Sequence, residues 1–297
     1  MTAPAPSPVE LRDAATVLIL RDGAAGLEVF MLRRNLNSDF VGGAHVFPGG
    51  AVDPEDRHVD LEPVCLGRSD ADASRRLGID AGGLAFWVAA IRESFEEAGV
   101  LLAYGPDGEV VDLDHLAGRD RWAEHRRAVD MGERRLIEVC EAEGLRLAVD
   151  GMHYFGHWIT PEGAPRRYDT RFFLAAAPTR QTPLHDDREV IANEWVRPAD
   201  AIDRVRAGEL VMMPPTISCL RAVARFDTAA EALAAATEIT DVPTILPRVI
   251  ADGSGVRIAL PGDPEYHNPT VEPDATTSWM SNFDHRGTGL DAEPTAP

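Results

Sequence analysis

The first fifty residues carry the hydrophobic pattern of short β-strands. The runs ATVLIL and LEVFMLRR are apolar and β-branched, and the intervening RDGAAG predicts a hairpin turn. A third run, AHVFPGG, predicts a strand that stops at Pro-Gly-Gly. Later in the chain, MHYFGHWITP, RRYDTRFFLAAAP and EVIANEWVRP return to strand character, and VRIAL predicts a late short strand.

Apolar residues at helical spacing lie between these strands. The clearest helix runs from about Leu84 to Gly99, where glycine provides a C-terminal stop. DRWAEHRRAVDMGERRLIEVCEAEG predicts a second long helical region, and PADAIDRVRAG, PPTISCLRAVARF and TAAEALAAATE predict three more helices. Residues 53–82 are polar with a weak helical pattern, which indicates an insertion. The mixture of strands and helices predicts an α/β or α+β protein.

Composition narrows the class of protein. The 297 residues are 44% hydrophobic and 26% charged, as in ordinary globular proteins, and the net charge of -20 argues against nucleic-acid or anionic-membrane binding. Three cysteines without C-x-x-C spacing favour buried thiols in a reducing compartment. The N-terminal MTAPAPSPVE lacks signal-peptide character, and no apolar run approaches the roughly 18 residues of a membrane helix. We therefore expect a cytoplasmic protein.

The segment RESFEEAGVLL, residues 92–102, concentrates acidic side chains on one part of the first helix. On a helical wheel Glu93, Glu96 and Glu97 fall within roughly 100° of arc, opposite the apolar positions. Like charges at this spacing repel, and Arg92 compensates only in part by pairing with Glu96 at i, i+4. A solvated acidic face is the ordinary interpretation of such a cluster. Beside a glycine-rich turn, however, three carboxylates are also the hard oxygen ligands that Mg²⁺ or Mn²⁺ takes.

RESFEEAGV resembles the second half of the Nudix box, whose pattern is Gly, five residues, Glu, seven residues, then Arg-Glu-apolar-x-Glu-Glu-x-Gly-apolar. Gly50 in FPGG matches the opening glycine. The first half departs from the pattern, because Asp56 stands where the box has glutamate and 35 residues separate Asp56 from Arg92. Asp53, Glu55 and Asp56 all remain candidates for the first-half acid.

The interrupted box resembles one branch of the Nudix superfamily, typified by animal peroxisomal coenzyme A diphosphatases, over roughly residues 14–210. This branch shares HVFPGG, a long insertion and RE-x-FEEAGVLL. Residues 43–50 also satisfy Gly-x-x-x-Phe-Pro-Gly-Gly, part of a pattern proposed for coenzyme A-cleaving members, although Asp39 stands where that pattern has arginine. The resemblance implies an α/β fold, the Nudix α/β/α sandwich of a mixed β-sheet between helices, with a helical insertion and a helical C-terminal addition.

The same resemblance divides the chain into segments. The expected segments are a Nudix hydrolase domain at 10–212 with its insertion at about 56–83, a helical C-terminal addition at 213–262, and a Pro/Asp-rich tail at 263–297. Because the insertion leaves from the glycine turn and returns into the helix of the glutamates, we expect it to fold over the diphosphate site.

The resemblance also implies chemistry, namely hydrolysis of a phosphoanhydride in a nucleoside diphosphate linked to another moiety, with Mg²⁺ or Mn²⁺ as cofactor. The implied metal ligands are Glu93, Glu96, Glu97 and the Gly49 carbonyl. The implied catalytic residues are Glu96, Glu97, Arg92 and Glu189, the last in the loop before EWV, with Asp186 and Asp187 as weaker alternatives to Glu189. The arginines expected to contact substrate phosphates in so acidic a chain are Arg33, Arg34, Arg167 and Arg171.

Coenzyme A or an acyl-coenzyme A is the first expected substrate, and an ADP-ribose or nucleotide-sugar pyrophosphatase is the alternative. A catalytically inactive Nudix-like ligand sensor is a hypothesis from a different class. Such a sensor should show a degraded RE..EE half and a basic appendage, whereas this chain has an intact half and an acidic end. The expected partner is a small-molecule diphosphate, without nucleic acid or membrane, and a homodimer is left open.

Overall fold

The computed structural model describes residues 9–36, 42–57, 59–115, 118–184, 189–252, 255–261 and 266. Its strands are β1 Leu11–Gly23, β2 Gly26–Arg34, β3 His45–Val46, β4 Gly49–Ala51, β5 Ala103–Tyr104, β6 Arg146–Leu147, β7 His153–Ile159, β8 Arg167–Ala176, β9 Val190–Val196, β10 Thr244–Ile245, β11 Arg248–Asp252 and β12 Gly255–Ala259. Its α-helices are α1 Leu61–Val64, α2 Asp70–Leu77, α3 Leu84–Ala98, α4 Arg119–Asp130, α5 Leu136–Glu143, α6 Pro198–Arg206, α7 Pro214–Val223 and α8 Ala229–Thr237. Two 3₁₀ turns cover Pro54–Arg57 and Val149–Gly151.

The chain forms two compact units, and the larger comprises Ala14–Gly156 and Arg171–Val242. Its strands follow the order β7-β8-β1-β2-β3, while β4 pairs with β1 and β9 pairs with β2. The β1–β2 hairpin turns between Gly23 and Gly26, as the sequence predicts. Residues 17–20 of β1 are at most 1% exposed. A strand buried on both faces needs a layer on each side, and α3 contacts β4 while α6 contacts β2.

The smaller unit comprises the described residues of Met1–Asp13, His157–Thr170 and Pro243–Pro297. Here β10 runs parallel to β7, with Thr244 opposite His157, and β11 forms an antiparallel pair with β12. Parallel and antiparallel pairing together make the β-structure mixed. The predicted α/β fold, a mixed sheet with helices beside it, is confirmed.

Helix α3 is more deeply buried than its amphipathic pattern predicts. Every residue from Leu84 to Ala98 is buried except Glu93 and Glu96, which are half-buried. Trp87 packs on Phe173 of β8 with ring centroids 4.5 Å apart, and its Nε1 donates to the Met152 carbonyl at 3.1 Å. A helix covered all round belongs to the core of the molecule. Its acidic edge therefore faces protein, and the interpretation of a solvated acidic face is wrong.

Two predicted elements differ from those observed. The segment AHVFPGG is not one strand that stops at Pro-Gly-Gly, because β3 and β4 lie on either side of Phe47-Pro48 and the glycines belong to β4. The second long helical region is two helices, because Gly132 adopts φ 65° between α4 and α5. This left-handed conformation closes one helix and changes the chain direction before the next.

The predicted insertion packs beside the N-terminal end of α3. Asp70 accepts hydrogen bonds from the backbone N–H groups of Gly82 at 2.9 Å and Leu84 at 3.0 Å, and thereby caps that end. Ala73 and Leu77 of α2 are buried in the core. The expectation that the insertion folds over the diphosphate site stays a prediction, as do the segment boundaries. No helix among the described residues is long and apolar enough to cross a membrane.

Candidate active site

Two glycines of β4 bring the backbone against the acidic edge of α3. The N–H of Gly49 donates to Glu97 Oε2 at 3.1 Å. A Cβ at Gly50 would lie 2.5 Å from Cδ and Oε1 of Glu93, and a Cβ at Gly49 would lie 2.5 Å from the carbonyl oxygen of Ala15 on β1. A side chain at Gly49 would meet the backbone of β1, whereas one at Gly50 would displace the Glu93 carboxylate, so both glycines of FPGG keep space beside these glutamates.

Arg92 is the centre of the charged network. Its Nη1 donates to Glu93 Oε1 at 2.8 Å and to Glu96 Oε2 at 3.1 Å, so the predicted i, i+4 pair is present. On the other edge of the guanidinium, Nε lies 3.0 Å from Asp56 Oδ1, and Nη2 donates to Asp56 Oδ2 at 2.9 Å and to the Ala51 carbonyl at 2.8 Å. With Arg92 only 8% exposed, these bonds fix the orientation of both glutamates.

The three candidates for the first-half acid differ in burial and in their contacts with Arg92. Asp56 is 2% exposed and binds Arg92 through both carboxylate oxygens. Glu55 is exposed, and the side chain of Asp53 is half exposed with its Oδ2 3.4 Å from Arg92 Nη2. The 3₁₀ turn over Pro54–Arg57 presents Asp56 inward, and the Asp53 N–H donates to Asp56 Oδ2 at 2.9 Å. Of these three candidates, Asp56 therefore makes the closest contact with Arg92.

Burial disfavours the charged forms of the three glutamates on α3. It raises the pKa of Glu93 to about 8 and the pKa of Glu96 to about 7, although Arg92 opposes both shifts. The pKa of Glu97 is raised well above its ordinary value, first by burial and then by the charge of Glu93. Carboxylates in this state hold protons tightly or need a cation beside them. One arginine therefore compensates only part of the charge.

The donor set suits a hard divalent cation. Glu93, Glu96, Glu97 and the Gly49 carbonyl are all oxygen donors, and Gly50 leaves room where a Cβ would meet the Glu93 carboxylate. Within the described ranges, no three acidic, histidine or cysteine side chains are already gathered as a ready ligand cluster. Glu96 is turned instead toward Arg92. The residues fit a metal by their chemistry, and Glu93 and Glu97 already flank the glycines of β4.

Glu189 and Arg34 lie within electrostatic range of the cluster. Glu189 stands directly before β9, and its carbonyl accepts the Asn35 N–H at 2.8 Å, which holds it beside the end of β2. Its charge contributes to the raised pKa of Glu97, while Arg34 has the opposite effect on that group. The alternatives Asp186 and Asp187 lie outside the described residues.

The other predicted phosphate contacts are distributed differently. Arg33 is exposed on β2, opposite His45 of β3. Arg171 is 4% exposed and stacks on Phe86, 5.5 Å from the ring centroid and at the opposite end of α3 from the glutamates. In the smaller unit, Nε of Arg167 donates to the Thr160 carbonyl at 3.2 Å. Of the predicted arginines, Arg34 thus acts electrostatically on Glu97, whereas Arg171 lies at the other end of α3.

Two residues outside the predicted catalytic set hold the end of α3. Ser94 stands where the Nudix box usually has an apolar side chain, and its Oγ donates to the Val100 carbonyl at 2.9 Å, so its hydroxyl is satisfied within the core. Arg126 of α4 donates to the Glu96 carbonyl from Nε at 2.9 Å and from Nη2 at 2.8 Å. No local pattern predicts this contact, because 30 residues separate the partners.

The sequence matches a known protein family. Residues 69–223 match the family model of the NUDT19 Nudix domain. The chain is 27% identical to the human protein named acyl-coenzyme A diphosphatase NUDT19 over 277 residues, covering 82% of this chain and 73% of that protein. It is 32% identical to the chicken protein of the same name over 251 residues, covering 69% of this chain and 65% of that protein.

A solved structure agrees with the sequence matches. The chain superposes on a NUDIX hydrolase from Alicyclobacillus acidocaldarius with a TM-score of 0.63 and 30% identity, covering 76% of this chain and 96% of that one. The superposed region extends beyond the Nudix box and covers most of the fold. The intact RE..EE half, its burial against the glycines of β4 and the family match agree with one another, and the chain belongs to the Nudix hydrolases, in the family of the NUDT19 Nudix domain.

Proposed function

We propose that this Nudix pyrophosphohydrolase cleaves the diphosphate of coenzyme A or of an acyl-coenzyme A, and that it uses Mg²⁺ or Mn²⁺. The observation that carries the proposal is the set of buried glutamates on α3, held by Arg92 against the glycines of β4. The Gly-x-x-x-Phe-Pro-Gly-Gly pattern and the printed names of the human and chicken relatives support the coenzyme A assignment. The chain spans 73% of the length of the human relative and 65% of the length of the chicken relative.

The proposed reaction is attack of water on one phosphorus of the diphosphate. The water oxygen forms a new P–O bond, the bridging P–O bond breaks, and the leaving phosphate oxygen retains the electron pair. Products from coenzyme A are an adenosine bisphosphate and phosphopantetheine. The water proton passes to a carboxylate, and Glu96, Glu97 and Glu189 are the candidates because they lie at or beside the buried cluster.

The remaining roles follow from charge and position. Nudix hydrolases generally use divalent metals, and Glu93, Glu96, Glu97 and the Gly49 carbonyl would hold Mg²⁺ or Mn²⁺, which neutralises charge on the diphosphate and the leaving group. Arg34 is the predicted arginine proposed to bind a phosphate oxygen near the glutamates, since its charge lowers the pKa of Glu97. Arg33, Arg167 and Arg171 stay predicted phosphate contacts. Arg92 orients Glu93 and Glu96 through its hydrogen bonds.

A substrate panel tests the proposal. Purified protein is incubated with coenzyme A, an acyl-coenzyme A, ADP-ribose and a nucleotide sugar, each with Mg²⁺, Mn²⁺ or a chelator, and products are resolved by chromatography. We expect metal-dependent release of phosphopantetheine from coenzyme A. Preferential cleavage of ADP-ribose or of the nucleotide sugar would refute the coenzyme A assignment, and no cleavage of any substrate would support the ligand-sensor hypothesis. A cytoplasmic location stays a separate prediction, which cell fractionation tests.

A further inference from the structure

A second concave region lies beyond the C-terminal end of α3, within the larger unit. It is a cleft of about 800 Å³, lined by the loop from Gly105 to Asp112, by α4 at Arg121 and Trp122, and by Thr179–Arg180. The predicted catalytic and metal-binding residues are not among the described residues that line it. Its role therefore differs from that of the glutamate cluster.

The walls of this cleft do not suit a phosphate. Among the described residues, four carboxylates line it against two guanidinium groups. Both arginines have acidic neighbours, because Arg121 lies 3.2 Å from Glu143 and Arg180 lies 3.9 Å from Asp112. An anion would meet a local excess of negative charge. The cleft instead offers apolar surface on Val110, which is 41% exposed, together with peptide and carboxylate groups that accept hydrogen bonds.

A buried glutamine connects the cleft to the catalytic helix. The Oε1 of Gln181 accepts the Leu101 N–H at 2.9 Å, and its Nε2 donates to the carbonyls of Leu101 at 2.9 Å and of Val111 at 3.0 Å. Val111 lines the cleft, and Leu101 follows Glu97 by four residues. Four residues of extended chain span at most roughly 14 Å. Gln181 thus links Val111 in the cleft wall to Leu101, which lies at most roughly 14 Å from Glu97.

We propose that this cleft binds the uncharged pantetheine arm of the substrate while the diphosphate lies at the glutamates. The inference rests on the proposed function. The arm has two amides and a dimethyl group but no charge, so it fits a wall that combines apolar surface with hydrogen-bond acceptors and repels phosphate. Its extended main chain from the phosphate to the sulfur is about as long as that upper limit, so the arm can reach from the glutamates to the level of Leu101.

The test combines one rim substitution with a ligand that carries only the arm. Val110→Glu places a charge where the arm would pack, and Val110→Thr keeps the size without a charge. Val9→Glu, at a side chain that is 41% exposed like Val110 and lies outside the cleft, is the matched control. KM for coenzyme A and competitive inhibition by pantetheine are measured for each protein, and pantetheine binding to the wild type is measured by calorimetry.

We expect Val110→Glu to raise KM for coenzyme A by about tenfold or more and to abolish inhibition by pantetheine, because burying an unpaired charge is costly. Val110→Thr and Val9→Glu should behave like the wild type. Unchanged KM and inhibition in Val110→Glu would overturn the cleft assignment and leave the proposed function standing. Failure of the wild type to cleave coenzyme A would overturn the proposed function, and absence of pantetheine binding in calorimetry would overturn the cleft assignment without any variant.

Discussion

At the scale of single residues, the site depends on one arginine that serves three carboxylates. Arg92 bonds Asp56 on one edge and Glu93 and Glu96 on the other, and both Arg92 and Asp56 are almost completely buried. Asp56 belongs to the interrupted first half of the box and Arg92 to the second. The ion pair therefore joins two segments that the insertion separates by 35 residues.

Substitution of Asp56 should cost far more stability than substitution of its neighbour. In Asp56→Asn the buried Arg92 guanidinium loses the carboxylate on its Nε–Nη2 edge and keeps only Glu93 and Glu96 on the other, and breaking a buried pair costs about 3 kcal/mol or more. Asp53→Asn removes a half-exposed partner at 3.4 Å and should cost less than about 1 kcal/mol. Urea unfolding of the two variants measures the difference. Equal free energies of unfolding would show that Asp56 is not the acid that holds Arg92.

Substitution of Glu97 should separate turnover from stability. Glutamine resembles the neutral form that burial favours at this position, so Glu97→Gln should leave the free energy of unfolding without metal unchanged or slightly higher. Turnover should fall by about 10²-fold or more, because a ligand of the catalytic cation is lost. Glu96→Gln should behave similarly, and Glu141→Gln, exposed on α5, is the control. Near-normal turnover in both active-site variants would refute the metal-site assignment.

At the scale of elements, β4 and α3 are the pair that makes the site. The strand pairs with β1, where Gly49 lies opposite Thr16, and its glycines touch α3. Arg126 holds the other side of α3 by two hydrogen bonds to the Glu96 carbonyl, which also places positive charge near the helix C-terminus. The catalytic helix is thus fixed by a strand that precedes it and by a helix that follows it.

The two glycines of β4 should respond differently to alanine. In Gly50→Ala the new Cβ meets the flexible end of Glu93, so the carboxylate must move while the backbone stays in place. In Gly49→Ala the new Cβ meets the backbone of β1 at Ala15 and Thr16, which cannot move freely. We expect Gly50→Ala to fold with a near-normal melting temperature but to lose about tenfold or more in metal affinity. We expect Gly49→Ala to be strongly destabilised. Calorimetric titration measures the metal affinity, and thermal melting measures the stability of both variants. Normal metal affinity in a folded Gly50→Ala protein would contradict this account.

At the scale of the whole molecule, the sequence predicts what local patterns encode and misses what distant residues determine. The α3 helix, its Gly99 stop and the strands around it follow from periodicity and turn residues, and the acidic cluster follows from the spacing of the glutamates. The spacing of the box points to Asp56, but its burial against Arg92 depends on a 3₁₀ turn that the sequence analysis did not predict. Full burial of α3 and the Arg126 contact depend on elements packed from elsewhere in the chain, so composition alone could not predict them.

Metal binding should be visible in the stability of the entire protein. A ligand that binds only the folded state at a hundred times its dissociation constant adds about 2.7 kcal/mol, which corresponds to a rise of roughly 5 °C in melting temperature for a chain of this size. Because the net charge is -20, any salt also screens repulsion, so the comparison needs sodium chloride at equal ionic strength. We expect Mg²⁺ or Mn²⁺ to raise the melting temperature of the wild type well beyond the rise caused by sodium chloride. For Glu97→Gln, the rise with Mg²⁺ or Mn²⁺ should be little larger than the rise with sodium chloride. Equal shifts in both proteins would mean that the cation acts on the general charge of the molecule and not at the glutamates of α3.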